Sequence, residues 1–128
     1  MRESLAKLLF LAAAAVNLVP GGIAFAPERV VDLYGIAPLE GAEMLVLMKH
    51  RALLLAIVGV LLAVAAFVRS WRMPAAVAGL LSMGLFIVLY VMTPEAMPKL
   101  AKVAYIDAVA MVLLVLGYWA GAAPSKRA

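Results

Sequence analysis

The chain has 128 residues, of which 68% are hydrophobic and only 14% charged, with a net charge of +4. Soluble domains are about 45–50% apolar, and so few polar residues could not cover a core of this size in water, which excludes a soluble globular class and predicts an integral membrane protein. Cysteine is absent, which excludes disulfides, thiolate metal sites and cysteine nucleophiles; the basic residues stand singly or in pairs at the ends of apolar runs with no basic, aromatic-laced stripe, which argues against nucleic acid as a partner.

Four runs are long enough to cross a bilayer, which takes about 20 mostly apolar residues. The first covers residues 5–23, LAKLLFLAAAAVNLVPGGI. The AFA at 24–26 has the A-x-A form of a signal-peptidase site, so cleavage after Ala26 would leave three spans, whereas Pro20-Gly21-Gly22 favours a retained helix. In the loop that follows, FAPERVVDLYGIAPLEGAE, Pro27 can open a helix and Gly35 can close one. Val30, Val31, Leu33 and Tyr34 would give it an apolar side, so a short helix lying in the interface is expected in this first extracytoplasmic loop. The second span covers residues 44–68 and the third residues 73–92, with Pro74 tolerated in a first turn. The fourth covers residues 103–120, with Tyr118 and Trp119 as interfacial anchors. None of these runs alternates with period two, and lipid requires each backbone group to be satisfied within its own segment. The fold class is all-α: a membrane four-helix bundle forming one domain over residues 1–128.

Orientation follows from the distribution of Lys and Arg. The N-terminus, the turn between spans two and three, and the C-terminal tail share one face and hold Arg2, Lys7, Arg69, Arg72, Lys126 and Arg127 against Glu3 alone. The opposite face holds Arg29, Lys49, Lys99 and Lys102, offset by Glu28, Asp32, Glu40, Glu43 and Glu95. Both termini are therefore expected in the cytoplasm. Small residues form stripes suited to close helix packing: Ala52, Ala56, Gly59, Ala63 and Ala66 in span two, Ala75, Gly79 and Ser82 in span three, Ala104 and Ala108 in span four. Such stripes fit a compact monomeric bundle or a homo-oligomer interface equally well.

Ionisable groups inside lipid cost about 2.5–3.5 kcal/mol each on insertion scales, so each calls for a partner or a purpose. Here they are Asn17 (polar, uncharged), His50, Arg51 and Asp107, with Tyr90 and Thr93 at the end of span three. At 1.5 Å per residue, Arg51 lies roughly 10 Å into span two and Asp107 about one turn into span four. All four spans thus bring polar groups to one level in the outer half of the membrane. An Arg51–Asp107 ion pair is expected, with His50 turned about 100° away toward another neighbour such as Asn17 or Tyr90. Three readings stand: polar glue that sets helix register, a pocket for a lipophilic or anionic ligand, or acid–base chemistry using His50, Arg51 and Asp107. No nucleophile, metal cluster or phosphate loop accompanies them. Met44 and Met48 beside His50 are soft enough for copper, but methionine serves apolar packing equally well. No cofactor and no metal are expected.

The segments DLYGI at 32–36, LMKHRALLLAIVGVLLA from 47 and AGLLSM at 78–83, with a single Asp in the last span, resemble a family of small bacterial inner-membrane proteins that are broadly DoxX-like. The similarity covers roughly residues 15–115, and the His50–Arg51 pair opening span two is its most specific feature. The resemblance implies a four-helix fold and the bacterial inner membrane, but no reaction. Members often carry the label phosphopantetheine adenylyltransferase. The residues here exclude that activity, with one histidine, no Gly-rich loop following a strand, and no soluble domain to hold ATP. The functional expectation is a non-enzymatic scaffold or accessory subunit, or a binder of a lipophilic small molecule at the polar cluster. Its partners would be the bilayer itself and a larger membrane complex or further copies of the chain. A small membrane enzyme or redox partner is the alternative.

Overall fold

The computed structural model describes residues 1–23, 26, 29, 32 and 40–122. Four long helices make up nearly all of them: α1 (Arg2–Ile23), α2 (Ala42–Phe67), α3 (Arg72–Val91) and α4 (Met97–Ala122). One-turn 3-10 segments at Arg69–Trp71 and Pro94–Ala96 lie before α3 and before α4. At 1.5 Å per residue the helices are about 30–39 Å long, sufficient for a hydrocarbon layer of about 30 Å. All four are apolar enough to span a membrane, so the all-α membrane bundle is the observed architecture. The interfacial helix expected between Pro27 and Gly35 falls almost wholly outside the described residues.

Local chemistry explains most of the boundaries. Val68 adopts an extended conformation after the last turn of α2, and the chain reverses through Arg69–Trp71. Pro74 then sits in the first turn of α3, where its missing N–H has no intrahelical acceptor to serve. At the other end, the Thr93 hydroxyl donates to the Leu89 carbonyl at 2.9 Å and closes α3 just before Pro94. The last helix begins six residues earlier than the expected 103, at Met97. Lys99 and Lys102 mark the end of the apolar run but do not stop a helix, since lysine is a good helix former. Pro20 lies inside α1, which continues to Ile23. Proline cannot donate to the carbonyl four residues back, so that of Val16 loses its usual helical partner.

Each helix packs on its two neighbours in a square: α1 on α2 and α4, and α3 on the same pair, with α1 and α3 on one diagonal and α2 and α4 on the other. The main buried cluster lies toward the half of the bundle that carries the N-terminus, the α2–α3 turn and the end of α4. There Phe10, Ala13, Ala14, Leu62, Ala65, Ala66, Ala75, Ala76, Met83, Ala110 and Leu114 form one buried cluster. Seven of these eleven are alanines, and small residues let helix backbones approach closely. Large apolar side chains such as Leu8, Ile57, Leu81, Val112 and Leu116 point outward and are exposed. Such an exterior suits hydrocarbon rather than water.

The small-residue stripes are only partly the buried faces. In α2, Ala52, Gly59 and Ala66 are buried, while Ala56 and Ala63 are half-buried. In α4 the buried face is Ala104, Ala110, Leu114 and Gly117, and Ala108 is exposed. Gly59 marks a close approach of α1 and α2. A Cβ there would lie 2.6 Å from Leu18 Cγ and 3.0 Å from the Leu18 backbone nitrogen. Gly59→Ala therefore costs about 1–3 kcal/mol by overpacking. Gly22→Ala meets nothing within 4 Å and leaves stability unchanged or slightly raised. Unfolding of the two variants in detergent micelles checks the contrast, and equal stabilities would mean that the α1–α2 approach is not tight.

Candidate functional site

The two halves of the bundle treat their polar residues in opposite ways. In the packed half, Arg72 opens α3 yet is only 4% exposed. Its Nε donates to the Ala65 carbonyl at 3.2 Å and its Nη2 to the Ala66 carbonyl at 3.4 Å. Those are carbonyls of the last turn of α2, which lack helical donors of their own and favour a cation. The rest of the guanidinium meets Glu3 of α1, through Nη1 to Oε2 at 3.2 Å and through Nη2 to Oε1. Arg69 joins the same carboxylate, its Nη2 2.6 Å from Oε2. Beneath them the Phe10 ring centre is 5.9 Å from Arg72 Cζ. Gly121 of α4 makes the room, since a Cβ there would come within 3.1 Å of Cζ. One guanidinium thus ties all four helices together at this end.

This cluster is absent from the sequence reading, which counted Arg69, Arg72 and Glu3 only as topology markers. A signal was present: Glu3 is the lone carboxylate against six basic residues on its face.

In the other half bulkier side chains line a cavity of about 830 Å³, while α1 and α2 stay in close contact beside it at Gly21 and Ala56. Its walls come from all four helices: Ala15, Val16, Val19 and Pro20 from α1, Leu54 and Leu55 from α2, Ser82, Leu85, Phe86 and Leu89 from α3, Val103 and Ile106 from α4. Leu54, Leu85, Leu89 and Ile106 are also exposed, so the cavity opens sideways toward the surroundings of the bundle. Asn17 stands at the boundary with the packed core. It is 2% exposed, donates from Nδ2 to the Ala13 carbonyl at 2.9 Å and lies 3.9 Å from Met83 Sδ.

Four of the five residues proposed from sequence as a polar cluster, Asn17, Arg51, Tyr90 and Asp107, line this one cavity. His50 does not; it lies on the exposed side of α2, as its 100° offset from Arg51 requires. The structure also adds Lys102, Thr93 and Ser82 to the lining. The guanidinium of Arg51 lies over the Phe86 ring, with Cζ 4.9 Å from the centroid, a cation–π contact between α2 and α3. Arg51 and Asp107 stand on diagonally opposite helices and interact through space. Among the described residues, however, the ion pairs within 4.0 Å are those of Glu3 with Arg69 and Arg72. The direct Arg51–Asp107 pair expected from depth alone is thus replaced by two charges facing one cavity. Equal depth did not reveal that the helices sit on a diagonal.

Arg51→Gln and Asp107→Asn should accordingly be near-additive in stability, with a coupling below about 0.5 kcal/mol. A double-mutant cycle in micelles measures this, and a coupling well above 1 kcal/mol would mean that the two groups bond directly.

An acid–base site would need His50, Arg51 and Asp107 on one reacting centre, and the structure divides them between an outer surface and a cavity. What it assembles is a long apolar wall with a few polar groups toward one end, the usual make-up of a small-molecule pocket. Fold and cavity together define a four-helix membrane protein whose bundle is closed in one half and laterally open in the other. No family model, curated protein or solved structure matches the chain.

Proposed function

We propose that this protein is a small multi-pass protein of the bacterial inner membrane that binds one lipophilic molecule between its helices. The observation that carries the reading is the 830 Å³ cavity, a volume within the range of about 300–1,000 Å³ typical of ligand sites. Asn17, Arg51, Tyr90 and Asp107, from four different helices, all line this one space. Its lateral opening suits a ligand arriving from the bilayer. The orientation with both termini in the cytoplasm is supported by the excess of Lys and Arg at the closed end, and the compartment by the resemblance to small bacterial inner-membrane proteins.

Retention of α1 is part of the same proposal. The helix supplies Glu3 to the buried Arg72 and Phe10, Ala13 and Ala14 to the core. Cleavage after Ala26 would remove all of these, so the mass of the mature membrane-extracted chain should include α1.

Purification in a mild detergent followed by native mass spectrometry tests the function. The expected result is one small amphipathic molecule released per chain. A preparation that carries no such molecule but holds a larger membrane protein at fixed stoichiometry would assign the scaffold or accessory role in its place.

A further inference from the structure

We infer that the ligand is a single-chain anionic amphiphile, its acidic head held by Arg51 and Lys102 and its chain lying along the apolar wall of α3. The inference rests on the ligand-binding reading above and adds the chemistry of the head and the number of chains.

The head follows from the charges on the cavity wall. Among the described residues two cations, Arg51 and Lys102, face it with one carboxylate, Asp107, so that part of the lining is net positive. Arginine keeps its charge at any accessible pH, and its planar fork of N–H donors matches a carboxylate or phosphate. The contact with the Phe86 ring, 4.9 Å from Cζ to the centroid, helps to place the guanidinium at the cavity wall. Lys102 is exposed and five residues before Asp107, about 7.5 Å nearer the start of α4. It can meet the head at the mouth while Arg51 meets it inside. Asp107 repels an anion from the opposite wall, which favours a singly held head beside Arg51 over one spanning the cavity.

The chain follows from shape. From Tyr90 to Ser82 the wall of α3 runs about 12 Å and is lined by Leu85, Phe86 and Leu89. It ends where the packed core begins, at Asn17 and Met83. One acyl chain fits along this wall and can leave through the lateral opening. The cavity volume suits one small ligand rather than the two chains and full headgroup of a bilayer phospholipid.

The test uses the full chain, stripped of bound lipid in nonionic detergent, and native mass spectrometry with four added sixteen-carbon probes: palmitate, palmitoyl lysophosphatidate, hexadecanol and hexadecyltrimethylammonium. The expected result is binding of at least one anion at least tenfold tighter than hexadecanol, with the cationic probe weakest. Whichever anion binds tighter assigns the head as carboxylate or phosphate. Arg51→Gln weakens the anion at least tenfold and leaves hexadecanol unchanged, Lys102→Gln weakens it two- to threefold, and Asp107→Asn strengthens it severalfold. Lys102 and Asp107 supply the test even where Arg51→Gln does not fold. Hexadecanol binding as tightly as both anions would overturn the anionic assignment while leaving the cavity a ligand site. Binding of none of the four probes would overturn both.

Discussion

Glu3→Ala lowers the stability of the bundle by about 2–4 kcal/mol, close to the range for stripping a partner from a buried ion. The loss stays below the upper end because the Glu3 side chain is itself 35% exposed. The loss arises on the other side of the pair. Arg72, with 5% of its side chain exposed, would keep its charge in the core with only the Ala65 and Ala66 carbonyls to meet it. Arg69→Ala removes a cation that is 63% exposed, and its effect should stay within about 1 kcal/mol. The same carboxylate is involved in both, so the contrast isolates burial. Arg72→Met leaves two helix-end carbonyls without their donor, at about 1–3 kcal/mol. Glu3→Gln combined with Arg72→Met should cost less than the separate losses added together, since no buried charge remains unpaired. Denaturant unfolding in micelles gives all of these values. Similar losses for Glu3→Ala and Arg69→Ala would show that Arg72 reaches water and that the four-helix tie is superficial.

Ser82→Phe abolishes ligand retention, with at least a tenfold fall in the lipid that co-purifies, while stability holds or rises by about 0.5–2 kcal/mol as cavity-filling changes do. Ser82 lines the cavity next to Met83, which is 1% exposed in the core, so a ring at 82 grows into the chain-binding space. An apolar ring in place of a hydroxyl also suits a membrane helix. Leu81→Phe is the matched control: one residue earlier, it is 58% exposed on the outside and should change neither lipid nor stability. Native mass spectrometry and thermal unfolding of the same preparations report both quantities. A folded Ser82→Phe protein with its full complement of lipid would place the ligand elsewhere on the bundle.

The two effects belong to opposite ends for one reason. Small side chains occupy the closed half, so the backbones approach until a single guanidinium can reach four helices. In the open half, the larger Leu54, Leu55, Leu85, Phe86 and Leu89 line the cavity instead. The protein therefore joins a closely packed half, clamped by Arg72, to a half that holds the cavity.

The sequence by itself determined the solvent, the number of helices and their approximate limits, because transfer into hydrocarbon depends on local composition and on a length of about 20 residues. It also placed Asn17, Arg51, Tyr90 and Asp107 at one depth, because rise per residue is a property of one helix. Which helices are neighbours and which face each other across the diagonal is a property of packing, and it decided that Arg51 meets Phe86 and the cavity rather than Asp107. It decided as well that Arg72, read from sequence only as a charge in the turn between spans two and three, becomes the most buried cation among the described residues. Hydropathy along a chain records the preference of each residue for lipid, but not the side chains that arrive from three other helices to replace it.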